Sequence, residues 1–93
     1  MITMVYGPQA SGKTRNKDAL AKHFDHMRVL DGVHQPQRSG QFRTDDGRVH
    51  TQVPTDALLL TTMSREECVK FMAKHEVTGA LVPIHEALLE IKK

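Results

Sequence analysis

Eight residues near the start of the chain, Gly7-Pro8-Gln9-Ala10-Ser11-Gly12-Lys13-Thr14, hold the densest concentration of chemically useful groups in the sequence. They fit the pattern G-x-x-x-x-G-K-[ST] without a mismatch. Each fixed position answers a demand made by a polyphosphate. A dense cluster of negative charge needs several main-chain N–H groups converging on it, and glycine lets a loop wrap without Cβ clashes. A helix opening at the end of the loop adds the positive end of its dipole. Lys13 supplies a point charge for the β/γ-phosphate oxygens, and the Thr14 hydroxyl one ligand for a Mg²⁺ ion bridging them. From average residue usage, the four fixed positions arise by chance in such a chain on the order of a few times in a thousand. The motif therefore predicts phosphate binding by residues 7 to 14.

Residues 7 to 14 resemble the phosphate loop of P-loop enzymes, and that resemblance implies an acidic residue at the end of a neighbouring strand, to hold Mg²⁺ through water or to orient the attacking group. Asp31 is the candidate, since strand-type residues lead to it and parallel strands bring their C-terminal ends together. With Lys13 it is the candidate catalytic residue, and with Thr14 the candidate Mg²⁺ ligand. Asp31-Gly32 is equally a plain turn dipeptide. No strand ends in an Asp-Glu pair, which argues against efficient water activation. Thr61 and Thr62 close a later strand and either sense a γ-phosphate or cap a turn. Arg15 reads as a solvated helix residue. Arg38, Arg43 and Arg48 offer a lid for phosphates, although surface arginines on a polar segment are commoner.

His23, His26, His34, His50, His75 and His85 show no H-x-x-x-H or H-E-x-x-H spacing, and one cysteine writes no zinc site. Cys68 reads as a small core residue, because a nucleophile pair with His75 would have to span two helical turns.

The elements that position these groups alternate between strand and helix. Ile2–Tyr6 is a short apolar run of β-formers stopped by Gly7-Pro8, and Lys13–Phe24 carries Ala19, Leu20, Ala21 and Phe24 at helical spacing. Met27–Asp31 is a second strand. Val33–Thr55 is poor in aliphatic residues and reads as an excursion from the core, either a flexible loop or a β-hairpin turning on Asp45-Asp46-Gly47. Ala57–Thr62 is a continuous apolar run suited to a parallel strand buried on both faces. Ser64 and Glu67 form a capping box opening a helix whose face carries Cys68, Val69, Phe71, Met72 and His75, and which Gly79 ends. Ala80–Ile84 follows as a strand, marked by Pro83 as an edge or an end, and Glu86–Lys92 as a closing helix. The expected fold is α/β with a mostly parallel sheet of about four strands.

Residues 7 to 14 resemble the Walker A segment of P-loop nucleoside triphosphatases. Tyr6–Phe24, Val29-Leu30-Asp31 and Ala57–Thr62 are also similar to very short P-loop proteins encoded in bacteriophages and prophages. The resemblance implies a three-layer fold, ATP or GTP, and Mg²⁺, with host cytoplasm as the location for a phage-encoded chain; it supplies no substrate.

Composition bounds the alternatives. Ninety-three residues, 39% hydrophobic and 26% charged, suit one domain and exclude collagen, a coiled-coil rod and a wholly disordered tail. A net charge of +2 is too mild for a nucleic-acid or membrane surface, and no run of apolar residues is long enough to span a bilayer. With a single cysteine, the expected location is the cytoplasm. The leading expectation is a minimal nucleotide-binding protein for ATP or GTP with Mg²⁺, with or without slow hydrolysis. The rivals are a small kinase with its acceptor under residues 33 to 55, for which the chain is short, and an interaction protein using nucleotide as a structural switch.

Overall fold

The computed structural model describes residues 1–8, 12–34 and 41–91. Four parallel strands form the main sheet in the order β2-β5-β1-β6, where β1 is Ile2–Tyr6, β2 Val29–Leu30, β5 Ala57–Thr61 and β6 Gly79–Pro83. The central strands β1 and β5 run in register from Ile2 opposite Ala57 to Tyr6 opposite Thr61. Both are covered on two faces, which is why each is written as an unbroken run rather than an alternating one. Pro83 lies at the end of the edge strand β6, where its missing N–H costs no ladder bond on the open side.

Alternate residues of the sheet feed two separate apolar cores. Val5, Leu58 and Leu60 meet Leu20 and Ala21 of α1 (Lys17–His23) and Ile84 and Ala87 of α3 (Ile84–Ile91). Ile2, Met4, Ala57 and Leu59 meet Cys68 and Phe71 of α2 (Arg65–Lys74), together with Val33 and Phe42. Burial of each Val, Leu, Ile, Met or Phe side chain among these contributes roughly 1.5–3 kcal/mol, so a run of four consecutive fully buried residues with three leucines, Ala57 to Leu60, makes β5 the spine of the domain. At the N-terminal end of the sheet the buried His26 imidazole donates from Nδ1 to Asp56 (2.6 Å), and the Thr3 hydroxyl lies 2.8 Å from its Nε2. One side chain thus ties the segment after α1 to β1 and to the start of β5.

Local chemistry explains most element ends. Ser64 accepts from the Glu67 amide while Glu67 accepts from the Ser64 amide, both at 3.2 Å, which is the expected capping box of α2. That helix stops at Lys74 rather than at Gly79, because Glu76 turns left-handed (φ +53°) and the Val77 amide closes back on the Met72 carbonyl. Gly79 instead opens β6. Val69, expected near the buried face, is 52% exposed.

Two further expectations need correction. Regular α1 begins at Lys17, not Lys13: residues 13 to 16 form an irregular turn in which the Asn16 side chain donates to the Gly12 carbonyl at 2.8 Å. The segment after β2 is a hairpin, β3 (Phe42–Arg43) and β4 (Val49–His50), turning through Gly47 at φ +84°. It is no excursion from the core. Phe42 is completely buried, edge-on to Phe71 at 5.3 Å and stacked on His50 at 4.9 Å, and His34 pairs with Arg43 to stitch the hairpin to the chain leaving β2.

Candidate functional site

Strands running the same way deliver their C-terminal ends to one side of the sheet, and the loops there line a cleft of about 550 Å³. Gly12, Lys13, Thr14 and Arg15 come from the loop after β1, Asp31, Gly32 and His34 from the turn after β2, and Thr61 and Thr62 from the end of β5. Asp45 reaches the same cleft from the hairpin. Gln9, Ala10 and Ser11 lie outside the described residues.

Lys13 is the buried cation of this cleft, 7% exposed, and its ammonium donates to the carbonyls of Gly7 (2.8 Å) and Pro8 (2.6 Å). Burial pulls its pKa below the ordinary 10.5, while the negative charge of Asp31 pushes it back up. The Thr14 hydroxyl donates to the Asp31 carboxylate at 3.2 Å. The three residues singled out for charge, metal and acid chemistry therefore share one wall of one cleft. The Gly7 amide is spoken for, donating to the Thr61 carbonyl at 3.2 Å, so Gly7 holds the loop to β5 rather than offering its N–H to a phosphate.

Other candidates fare differently. The buried Thr61 hydroxyl donates to the Val33 carbonyl at 2.5 Å and accepts from the Met63 amide at 3.1 Å, so it secures the chain crossing beside β5 instead of sensing phosphate. Thr62 and Arg15 are exposed on the cleft's rim. Arg43 and Arg48 do not line it: both are exposed, and Arg48 sits 3.5 Å from Asp46 across the hairpin turn. Arg38 falls outside the described residues. The Cys68 thiol is buried, donates weakly to the Met63 carbonyl, and is pushed up to about 11 by desolvation and then by Glu67, which leaves it unreactive near neutrality.

Sequence reasoning missed Asp45 and His34. His34 holds its Nδ1–H on the Gly32 carbonyl at 2.9 Å, and the Asp45 amide donates to the Asp31 carbonyl at 3.0 Å. Asp45 was visible only as a turn residue, since nothing in a linear sequence says that the tip of a hairpin folds back over the turn after β2.

No protein-family model, curated protein or solved structure matches this chain. The P-loop resemblance rests on residues 7 to 14 and on the chemistry of the cleft. Among the described residues no group of three or more His, Cys, Asp or Glu side chains gathers as a metal centre, and no helix is long and apolar enough to cross a membrane. Hydroxyl and carboxylate oxygens at Thr14 and Asp31 are the hard donors that Mg²⁺ accepts while keeping most of its water and taking further oxygens from phosphate. The residues present fit that ion.

Proposed function

We propose that the chain is a minimal P-loop domain, three-layered, that binds a nucleoside triphosphate, ATP or GTP, together with Mg²⁺. The observation that carries this reading is the meeting of Lys13, Thr14 and Asp31 in one cleft at the C-terminal ends of parallel strands, the place where ligands of open α/β sheets bind. In this role the loop amides between Gly7 and Thr14 hold phosphate oxygens, Lys13 compensates their charge, and Thr14 and Asp31 face the metal. Mg²⁺, when bound, would neutralise phosphate charge and orient the β and γ groups. Of the two carboxylates lining the cleft among the described residues, Asp31 bonds the Thr14 hydroxyl and is assigned the positioning of an attacking water. Among the described residues, two further concavities, beside α1 and α3 and beside His75, share no lining residue with the cleft.

The test is a set of melting curves with nucleoside mono-, di- and triphosphates, with and without Mg²⁺, followed by a phosphate-release assay. A ligand at a hundred times its Kd stabilises by about 2.7 kcal/mol, roughly 10–20 °C for a domain of this size. A triphosphate that leaves the melting temperature unmoved at millimolar concentration refutes the reading.

A further inference from the structure

The hairpin turn carries two adjacent aspartates that are used in opposite ways. Asp46 is consumed by the turn itself: it accepts from the Thr44 hydroxyl at 2.5 Å and the Arg48 amide at 3.0 Å, and lies beside the Arg48 guanidinium. These contacts hold its carboxyl below the ordinary carboxylate range, the Thr44 bond first among them. Asp45 points the other way. Its carboxylate lies against Gly32, so closely that a Cβ added there would come within 1.9 Å of the Asp45 carboxyl carbon. Its amide is anchored on the Asp31 carbonyl, yet among the described residues its carboxylate has neither ion pair nor hydrogen bond. An uncommitted negative charge has been brought to the wall of the phosphate cleft and fixed there by its own main chain.

The charge balance of the cleft gives this placement a consequence. Among the described residues its lining holds two cations, Lys13 and Arg15, against two carboxylates, Asp31 and Asp45. A bare triphosphate brings several negative charges against these residues, whose own charges balance, and meets both carboxylates at short range. A triphosphate carrying a divalent cation presents positive charge on the side where the carboxylates stand.

Resting on the nucleotide reading above, we propose that Asp45 is a specificity-determining residue, which makes the cleft select the metal complex of a polyphosphate over the metal-free anion. Asp45 acts through its charge, together with Asp31 and from a different element.

Isothermal titration of the full chain with ATP and with inorganic tripolyphosphate, each with Mg²⁺ and with EDTA, tests this. The wild type should bind the Mg²⁺ form at least tenfold more tightly than the metal-free form. Asp45→Asn, which keeps the amide that anchors the turn, should shrink that ratio about tenfold, by weakening the Mg²⁺ complex and strengthening the bare anion. Asp45→Glu should restore much of the ratio, and Asp46→Asn, matched for folded fraction by circular dichroism, should leave it as in the wild type. An Asp45→Asn ratio equal to that of the wild type overturns the role of Asp45 while leaving the nucleotide site standing. Absence of binding by the wild type to any of these ligands overturns the nucleotide reading itself.

Discussion

The ammonium of Lys13 donates to the carbonyl of Gly7 at 2.8 Å, so the first and second-last residues of the G-x-x-x-x-G-K-[ST] segment are fastened to each other by the group proposed to meet the ligand. It also donates to the Pro8 carbonyl, at 2.6 Å. Lys13→Ala removes both the buried charge and this brace. The expected outcome is loss of triphosphate binding by at least a hundredfold, read as disappearance of the nucleotide-induced melting shift. A mutant whose melting temperature still climbs with ATP and Mg²⁺ as the wild type's does would remove Lys13 from the site.

Thr14 and Asp31 predict a different signature. Their side chains bond directly to each other at 3.2 Å, which leaves oxygen lone pairs on both for a metal. Asp31→Asn keeps the shape and a hydrogen-bonding oxygen while deleting the charge, so it should weaken Mg²⁺-dependent binding about tenfold and leave metal-free binding equal or improved. Titrations in Mg²⁺ and in EDTA measure both; equal losses in the two would make Asp31 a turn residue only.

What the sequence makes readable here follows from how local each signal is. Ile2–Tyr6 and Ala57–Thr61 stand out because strands covered on both faces need apolar residues at every position, and the Ser64–Glu67 box because both halves of a cap lie within one turn. The nearness of Asp31 to Thr14 follows once the sheet is parallel. The hairpin's place was hidden for the opposite reason. Phe42 is a lone aromatic among polar residues, and its partners Phe71 and His75 are supplied by a helix about thirty positions later. Asp45 gains its meaning from the same long-range docking. The late start of α1 was equally hidden, because it depends on one side-chain bond from Asn16 that competes with regular helix.

Gly79 is where a small change meets rigid surroundings. A Cβ there would lie 2.1 Å from the Ile2 carbonyl oxygen and 2.8 Å from its carbon, both main-chain atoms of central β1. Gly79→Ala must therefore push β6 away from β1, at a cost of about 3 kcal/mol, or a fall in melting temperature of roughly 10–20 °C. Gly47, at φ +84° in open space, is the comparison: Gly47→Ala costs about 1–2 kcal/mol from conformation alone. Thermal unfolding of the two variants side by side checks the order, and a Gly79→Ala protein as stable as Gly47→Ala would mean that β6 is free to shift.

His75 predicts the response to acid. Its ring packs on Phe71 at 4.5 Å and edge-on to Phe42 at 5.5 Å, and its buried Nε2 has no hydrogen-bond partner among the described residues. Desolvation, and then the neighbouring Lys74 charge, hold its pKa below the ordinary 6.5. The folded protein thus resists a proton that the unfolded chain accepts, and below pH 6.5 the unfolded state binds more protons. This contribution to stability is complete above that pH and is lost progressively as the pH falls beneath it. Urea midpoints measured at pH 7.5 and pH 5 should decline more steeply in the wild type than in His75→Phe, which keeps the aromatic packing and cannot be protonated. If both proteins lose stability equally between those two conditions, the acid sensitivity resides elsewhere in the chain.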